Sequence, residues 1–223
     1  RRLALAPGRI YVTASTGSLQ SIGMADPDHL TWLGAYPGQA HNVAAAGQFV
    51  YLLRSTHLLV LDVSNPASPV LAGTYESMAY LEAVTVVNGL AYLAASTEGL
   101  EIVNVANPAQ PAHVGHVTTA GSAAGIAVSG STAYLAAAQE GLQMIDVQNP
   151  AAPQWLGAYP YESIGAVVRV SNGQAYVAGK NKNLAIVDVS QPATPVREST
   201  FDLPAKPQRL RVEGTHAYLV DAD

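Results

Sequence analysis

The sequence has no cysteine, which excludes disulfides and thiolate metal sites. It is also poor in charge, with 12% Asp, Glu, Lys and Arg against 49% hydrophobic residues. That balance argues against a disordered chain and suits strands buried on both faces. Net charge is −5 and no basic block is present, which argues against nucleic acid as a partner. No apolar run is long enough to cross a membrane, so no direct membrane insertion is expected. A GxSxG elbow, an HExxH pair and a phosphate-binding glycine loop are all missing. Asp26 and Asp28 lack the glycine and distal Glu of a calcium loop. No cofactor and no metal site is therefore expected. There is neither a starting Met nor a signal peptide, and the sequence reads as a mature or trimmed form.

What is present is a phrase of twelve residues that keeps returning. It reads LLVLDVSNPASP from Leu58, LEIVNVANPAQP from Leu100, LQMIDVQNPAAP from Leu142 and LAIVDVSQPATP from Leu184. A worn copy, LQSIGMADPDHL, starts at Leu19. The opening apolar run carries β-branched residues without helical spacing, as a doubly buried strand does. The Asp or Asn that follows (Asp62, Asn104, Asp146, Asp188) marks the end of the strand. Proline then removes a ladder donor and fixes φ, so the chain must leave the sheet, and Asx side chains make the turn compact.

The corner prolines Pro27, Pro66, Pro108, Pro150 and Pro192 share one period of about 42 residues with a second marker, Tyr11, Tyr51, Tyr92, Tyr134, Tyr176 and Tyr218. Two independent markers in one register establish internal repeats. The phrase resembles the LVIVD-repeat family, named for the run that here reads LAIVDV, and the resemblance covers nearly the whole chain. Copy one departs from it, with Gly23 in place of the Asp and Asp28-His29 in the second proline region. The resemblance implies a β-propeller, typically on exported or surface proteins and mostly without an assigned activity. An extracellular or cell-surface location is expected on that ground alone.

The fold class expected is all-β: a propeller of four-stranded antiparallel blades, five full blades plus half of a sixth. The repeats lie at 1–39, 40–80, 81–122, 123–164, 165–206 and a partial 207–223, within one domain. In the third, strands are expected at Ala83–Val87, Leu90–Ala95, Leu100–Val105 and Ala112–Val117. Asn88-Gly89, Asn172-Gly173 and Gly130-Ser131 fall where hairpins need turns. The last unit stops after its second strand at Ala222-Asp223, and the natural chain is expected to continue. Six blades is the smallest closed ring that the count permits.

In a repeat protein, a residue recurring in register reads as scaffold, and one that breaks register is the better functional candidate. The marker tyrosines recur and read as blade packing, as do Tyr36, Tyr75, Tyr159 and Phe201, each nine residues past its corner proline. Tyr80 and Tyr161 do not recur. They lie in connections between blades, with Glu76, Glu82 and Glu162 nearby, and His41 occupies the corresponding earlier loop. Loops on a rigid frame are where binding concentrates. One first-strand column reads Ala4, Ala44, Thr85, Ala127, Arg169, Arg211, and Arg209 and Arg2 stand two residues earlier in the sixth and first units. In a closed six-blade ring these four arginines would cluster as an anion-accepting patch. The competing reading pairs each with a carboxylate such as Asp188 or Glu213.

The expected function is a non-catalytic binding or scaffolding propeller that recognises a protein or glycan partner. A hydrolase or lyase at the channel mouth and a purely structural module of a larger polypeptide or surface assembly are the alternatives. An enzyme needs titratable groups converging in one pocket, a binding module clustered register-breaking polar and aromatic residues, and a structural module a large apolar patch.

Overall fold

The computed structural model describes residues 2–14, 18–138, 140–161, 167–179, 182–214 and 216–220. Among them there is no helix. The first sheet is β1 (Arg2–Ala6), β2 (Arg9–Thr13), β3 (Leu19–Gly23) and β4 (Thr31–Tyr36). The second is β5 (Asn42–Ala46), β6 (Phe49–Arg54), β7 (His57–Asp62) and β8 (Val70–Glu76). The third is β9 (Ala83–Val87), β10 (Leu90–Ala94), β11 (Leu100–Asn104) and β12 (Ala112–Val117). The fourth is β13 (Ala123–Ser129), β14 (Thr132–Ala137), β15 (Gly141–Asp146) and β16 (Gln154–Tyr159). The fifth is β17 (Val167–Ser171), β18 (Gln174–Ala178), β19 (Asn183–Asp188) and β20 (Val196–Asp202), followed by a two-stranded sheet of β21 (Arg209–Glu213) and β22 (His216–Val220). The strands of each sheet pair in sequence order. The count of five four-stranded sheets and one two-stranded sheet matches the blades read from the sequence. Asn88 and Gly89 both have positive φ (51° and 76°), as do Asn172 and Gly173 (51° and 75°), which is the mirror-image turn that suits twisted hairpins.

The corner phrase works as a pair of Asx turns. The carboxylate of Asp62 accepts from Ser64 N–H at 2.8 Å, Asp146 from Gln148 at 2.8 Å and Asp188 from Ser190 at 2.9 Å; the Asn104 amide oxygen accepts from Ala106 at 2.9 Å. Asn65, Asn107 and Asn149 repeat the device three residues later. In the worn copy Asp26 takes over, accepting from Asp28 N–H at 3.0 Å, while its second oxygen lies 2.7 Å from His29 Nδ1. The valine after each corner Asp or Asn is buried, and its N–H is bonded: Val63 donates to Gln48, Val105 to Gly89, Val147 to Ser131 and Val189 to Gly173.

The chain divides into two compact units, Arg1–Ala91 with Val103–His113 and Tyr92–Ile102 with Val114–Asp223. In the first, Tyr11, Leu19, Val43, Leu52, Leu61 and Val63 form the core where the first and second sheets meet, and β5 lies between β1 and β9. In the second, Tyr134, Leu142, Met144, Val168, Val177 and Val187 fill the corresponding space, and β17 lies between β13 and β21.

A glycine column fixes the spacing of neighbouring blades within each unit. A Cβ on Gly34 would sit 2.4 Å from the Ala67 carbonyl oxygen, on Gly73 2.3 Å from that of Pro108, on Gly115 2.4 Å from that of Pro150 and on Gly157 2.8 Å from that of Pro192. Each glycine is on a fourth strand, seven residues past its own corner proline, and receives the corner of the following blade. Ser199 holds this place in the fifth sheet.

Two packing expectations are corrected. Tyr11, Tyr51, Tyr92 and Tyr134 are buried as expected, and burial raises the phenol pKa of the last three; a hydrogen bond to Thr132 opposes the rise at Tyr134. Tyr218 is instead 57% exposed, because β22 has β21 as its one described partner and the ring packs against His216. Phe201 is also exposed, whereas Tyr36, Tyr75 and Tyr159 are half-buried.

Candidate functional site

The candidate site is a cleft of about 500 Å³ in the first unit, lined by Ala14, Gln39, Ala40, His41, Arg54, Ser55 and Tyr80. Its walls are made by the ends of β2 and β6 and by the connections leading into β5 and β9. The tight turn Ser55-Thr56 accepts two backbone bonds from the following connection: Leu81 N–H to Ser55 O and Ser77 N–H to Thr56 O, both 2.9 Å. Ser77 Oγ accepts from Ala79 N–H at 3.2 Å, and the Leu81 side chain is fully buried. The connection is thus nailed down at both ends, with Tyr80 held out between them at 44% exposure. The positive φ of Ser55 (54°) belongs to this joint, because Ser96 repeats it (40°) with an equivalent bond from Ala123 N–H.

His41 is held by three contacts. Its N–H donates to Leu53 O at 3.0 Å, extending the β5–β6 ladder. Its Nε2 lies 2.6 Å from Leu81 O; a carbonyl accepts only, so Nε2 carries the proton. In the neutral ring Nδ1 then accepts, and the Tyr80 hydroxyl lies 3.5 Å from it. The two rings stack with centroids 5.0 Å apart and planes 18° from parallel. Next along, Asn42 Nδ2 donates to Glu82 O at 2.7 Å and its Oδ1 accepts from Val43 N–H at 2.8 Å.

The sequence-derived residues divide accordingly. His41 and Tyr80 come together in the cleft. Arg2 is also in the first unit, where burial lowers its pKa and the charge of Glu82 acts in the opposite direction. Tyr161 does not present its ring on a loop surface: it is 8% exposed, packed in the core of the second unit, and its hydroxyl donates to Asn183 O at 3.2 Å and to the Asn183 side-chain oxygen. Its companion Glu162 lies outside the described residues. Arg169 donates to Val168 O at 2.7 Å, Arg209 to Gln208 O at 2.6 Å, and Arg211 forms an exposed ion pair with Glu213 at 3.2 Å. Arg211 and Glu213 thus make one of the carboxylate pairings weighed against the anion patch.

Gln39, Arg54 and Ser55 were not singled out by sequence reasoning. For Arg54 a signal was available. The place three residues past the marker tyrosine holds Ala14, Arg54, Ala95, Ala137, Gly179 and Asp221, so Arg54, like Asp221, breaks a column that is otherwise small. Its guanidinium makes no ion pair or hydrogen bond among the described residues, which also contain no cluster of three or more groups able to hold a metal ion.

Comparison with known structures places this geometry on a known frame. A protein from Lactobacillus plantarum superimposes with a TM-score of 0.82 at 15% identity, over 99% of this chain and 76% of the other. The Pseudomonas aeruginosa periplasmic gluconolactonase does so with 0.75 at 11%, over 94% and 74%. The Myceliophteria thermophila Cps50 (Swd1) β-propeller domain does so with 0.70 at 10%, over 87% and 68%. The fold is a β-propeller. The LVIVD repeat matches residues 37–77, 80–119, 120–160 and 166–202, well over half of the sequence, and the chain belongs to the LVIVD-repeat family. No curated protein matches the sequence.

Proposed function

We propose that this propeller is a non-catalytic binding module that recognises a protein or glycan through the cleft around His41 and Tyr80. The observation that carries the reading is the make-up of the cleft. Its described lining has an exposed aromatic ring, an amide, a hydroxyl and a guanidinium, but no carboxylate to pair with the imidazole as acid and base. The His41 Nε2 proton is committed to the Leu81 carbonyl, which suits a fixed recognition surface better than a proton shuttle. Rigid anchoring of the connection by Leu81 and Ser77 lowers the ordering cost of binding. Family resemblance extends the proposal to an exported or cell-surface protein, with this chain as part of a larger polypeptide or assembly. The test is a panel of immobilised oligosaccharides and proteins probed with wild type and with His41→Ala/Tyr80→Ala. Retention that the double variant loses by at least about tenfold supports binding. Turnover of a retained compound, abolished by His41→Ala, would establish an enzyme instead.

A further inference from the structure

We infer that the cleft takes an acidic sugar, a uronate unit of a glycan, with Arg54 receiving its carboxylate and the Tyr80–His41 pair its ring face; this rests on the binding reading above. Arg54 is the one permanently charged side chain among the described lining residues. It is exposed at the end of β6, and no carboxylate among the described residues engages it, although the chain carries a net charge of −5. An incoming anion therefore displaces no partner among the described residues. Its forked donors match a planar carboxylate bidentately. Gly38 stands beside it: a Cβ there would lie 3.9 Å from Nη1, an ordinary contact, and it is the positive φ of 116° that disfavours a side chain. That side of the guanidinium stays open.

The rest of the lining suits a sugar. The stacked rings of Tyr80 and His41 give a flat, partly exposed face with a hydroxyl at its edge. The Gln39 amide and the Ser55 hydroxyl supply both donors and acceptors for sugar hydroxyls. A volume of about 500 Å³ is in the range of small-ligand sites. An acidic peptide fits less well. β6 is paired on both sides, with β5 and β7, so the cleft offers no free strand edge to a peptide backbone.

The experiment titrates the chain with oligogalacturonate, its methyl ester, a neutral oligosaccharide of the same length, a sulfated oligosaccharide and oligoglutamate, using wild type, Arg54→Ala, Arg54→Lys and Arg169→Ala/Arg211→Ala. Expected is binding of the free acid, weakened at least about tenfold by methyl esterification or by Arg54→Ala, partly kept by Arg54→Lys and unchanged in the double variant. Equal binding of the ester, the sulfated sugar or oligoglutamate overturns the inference. Loss in the double variant but not in Arg54→Ala also overturns it, moving the anion site to β17 and β21. If neutral sugars bind as well as acidic ones and His41→Ala/Tyr80→Ala abolishes both, the uronate inference falls while the binding reading stands. If no probe binds, the inference falls; the binding reading falls only if the wider panel also fails.

Discussion

One oxygen of Asp62 and one of Asp188 accept a backbone N–H, from Ser64 and Ser190, and these bonds first, with the serine side chains second, lower both pKa values from the ordinary carboxylate value. A depressed folded-state pKa stabilises the fold above the unfolded value and loses that contribution as pH falls through the folded value. Asn104 shows that an amide can do the same work in the third blade. Asp62→Asn/Asp188→Asn should therefore lose less stability than wild type between about pH 5 and about pH 2, as urea midpoints across that range would reveal. An identical acid profile would contradict it. The glycine column gives a larger effect. In Gly73→Ala the new methyl meets a backbone carbonyl that cannot rotate away, so the cost should be about 2–3 kcal/mol, read as a shift in urea midpoint.

At the scale of elements, the connection from Ser77 to Glu82 has one fully buried side-chain anchor, Leu81, besides its backbone bonds to Ser55 and Thr56. Leu81→Ala empties a fully buried position and should cost about 3 kcal/mol. It should also speed amide exchange at Ser77 and Leu81 and weaken any ligand that depends on Tyr80; unchanged exchange there would show that the backbone bonds suffice. The strands themselves were legible because two signals coincided at each boundary. Ala83–Val87 and Ala112–Val117 appear with the bounds expected, since a turn residue or a proline corner stands at their ends. The candidate site was only partly legible. An aromatic residue in a connection reads the same whether it points outward, as Tyr80 does, or inward, as Tyr161 does. What separates them is Asn183, 22 residues further on and recognisable as a partner only once folded. Arg54 carried a register signal, but what gives it meaning is the company of His41 and Tyr80, which sequence spacing alone does not display.

For the whole molecule, the absence of helix among the described residues predicts a far-UV circular dichroism spectrum with a single β minimum; a helical double minimum would sink the assignment. With a pI near 5.6 and few charges to keep copies apart, turbidity at fixed concentration should peak close to that pH and fall on either side. A minimum there would mean that local patches outweigh net charge. The glycine column has a further bearing on how such a chain is assembled over generations. Each of the first four repeats carries a socket, its glycine, and each of the second to fifth carries the plug that fits the socket before it, the corner carbonyl. Since the joint is the same each time, a gene segment one period long can be duplicated or exchanged among these positions without redesigning its neighbours. Variation is then free to accumulate in columns such as that of Arg54, which the joint does not constrain.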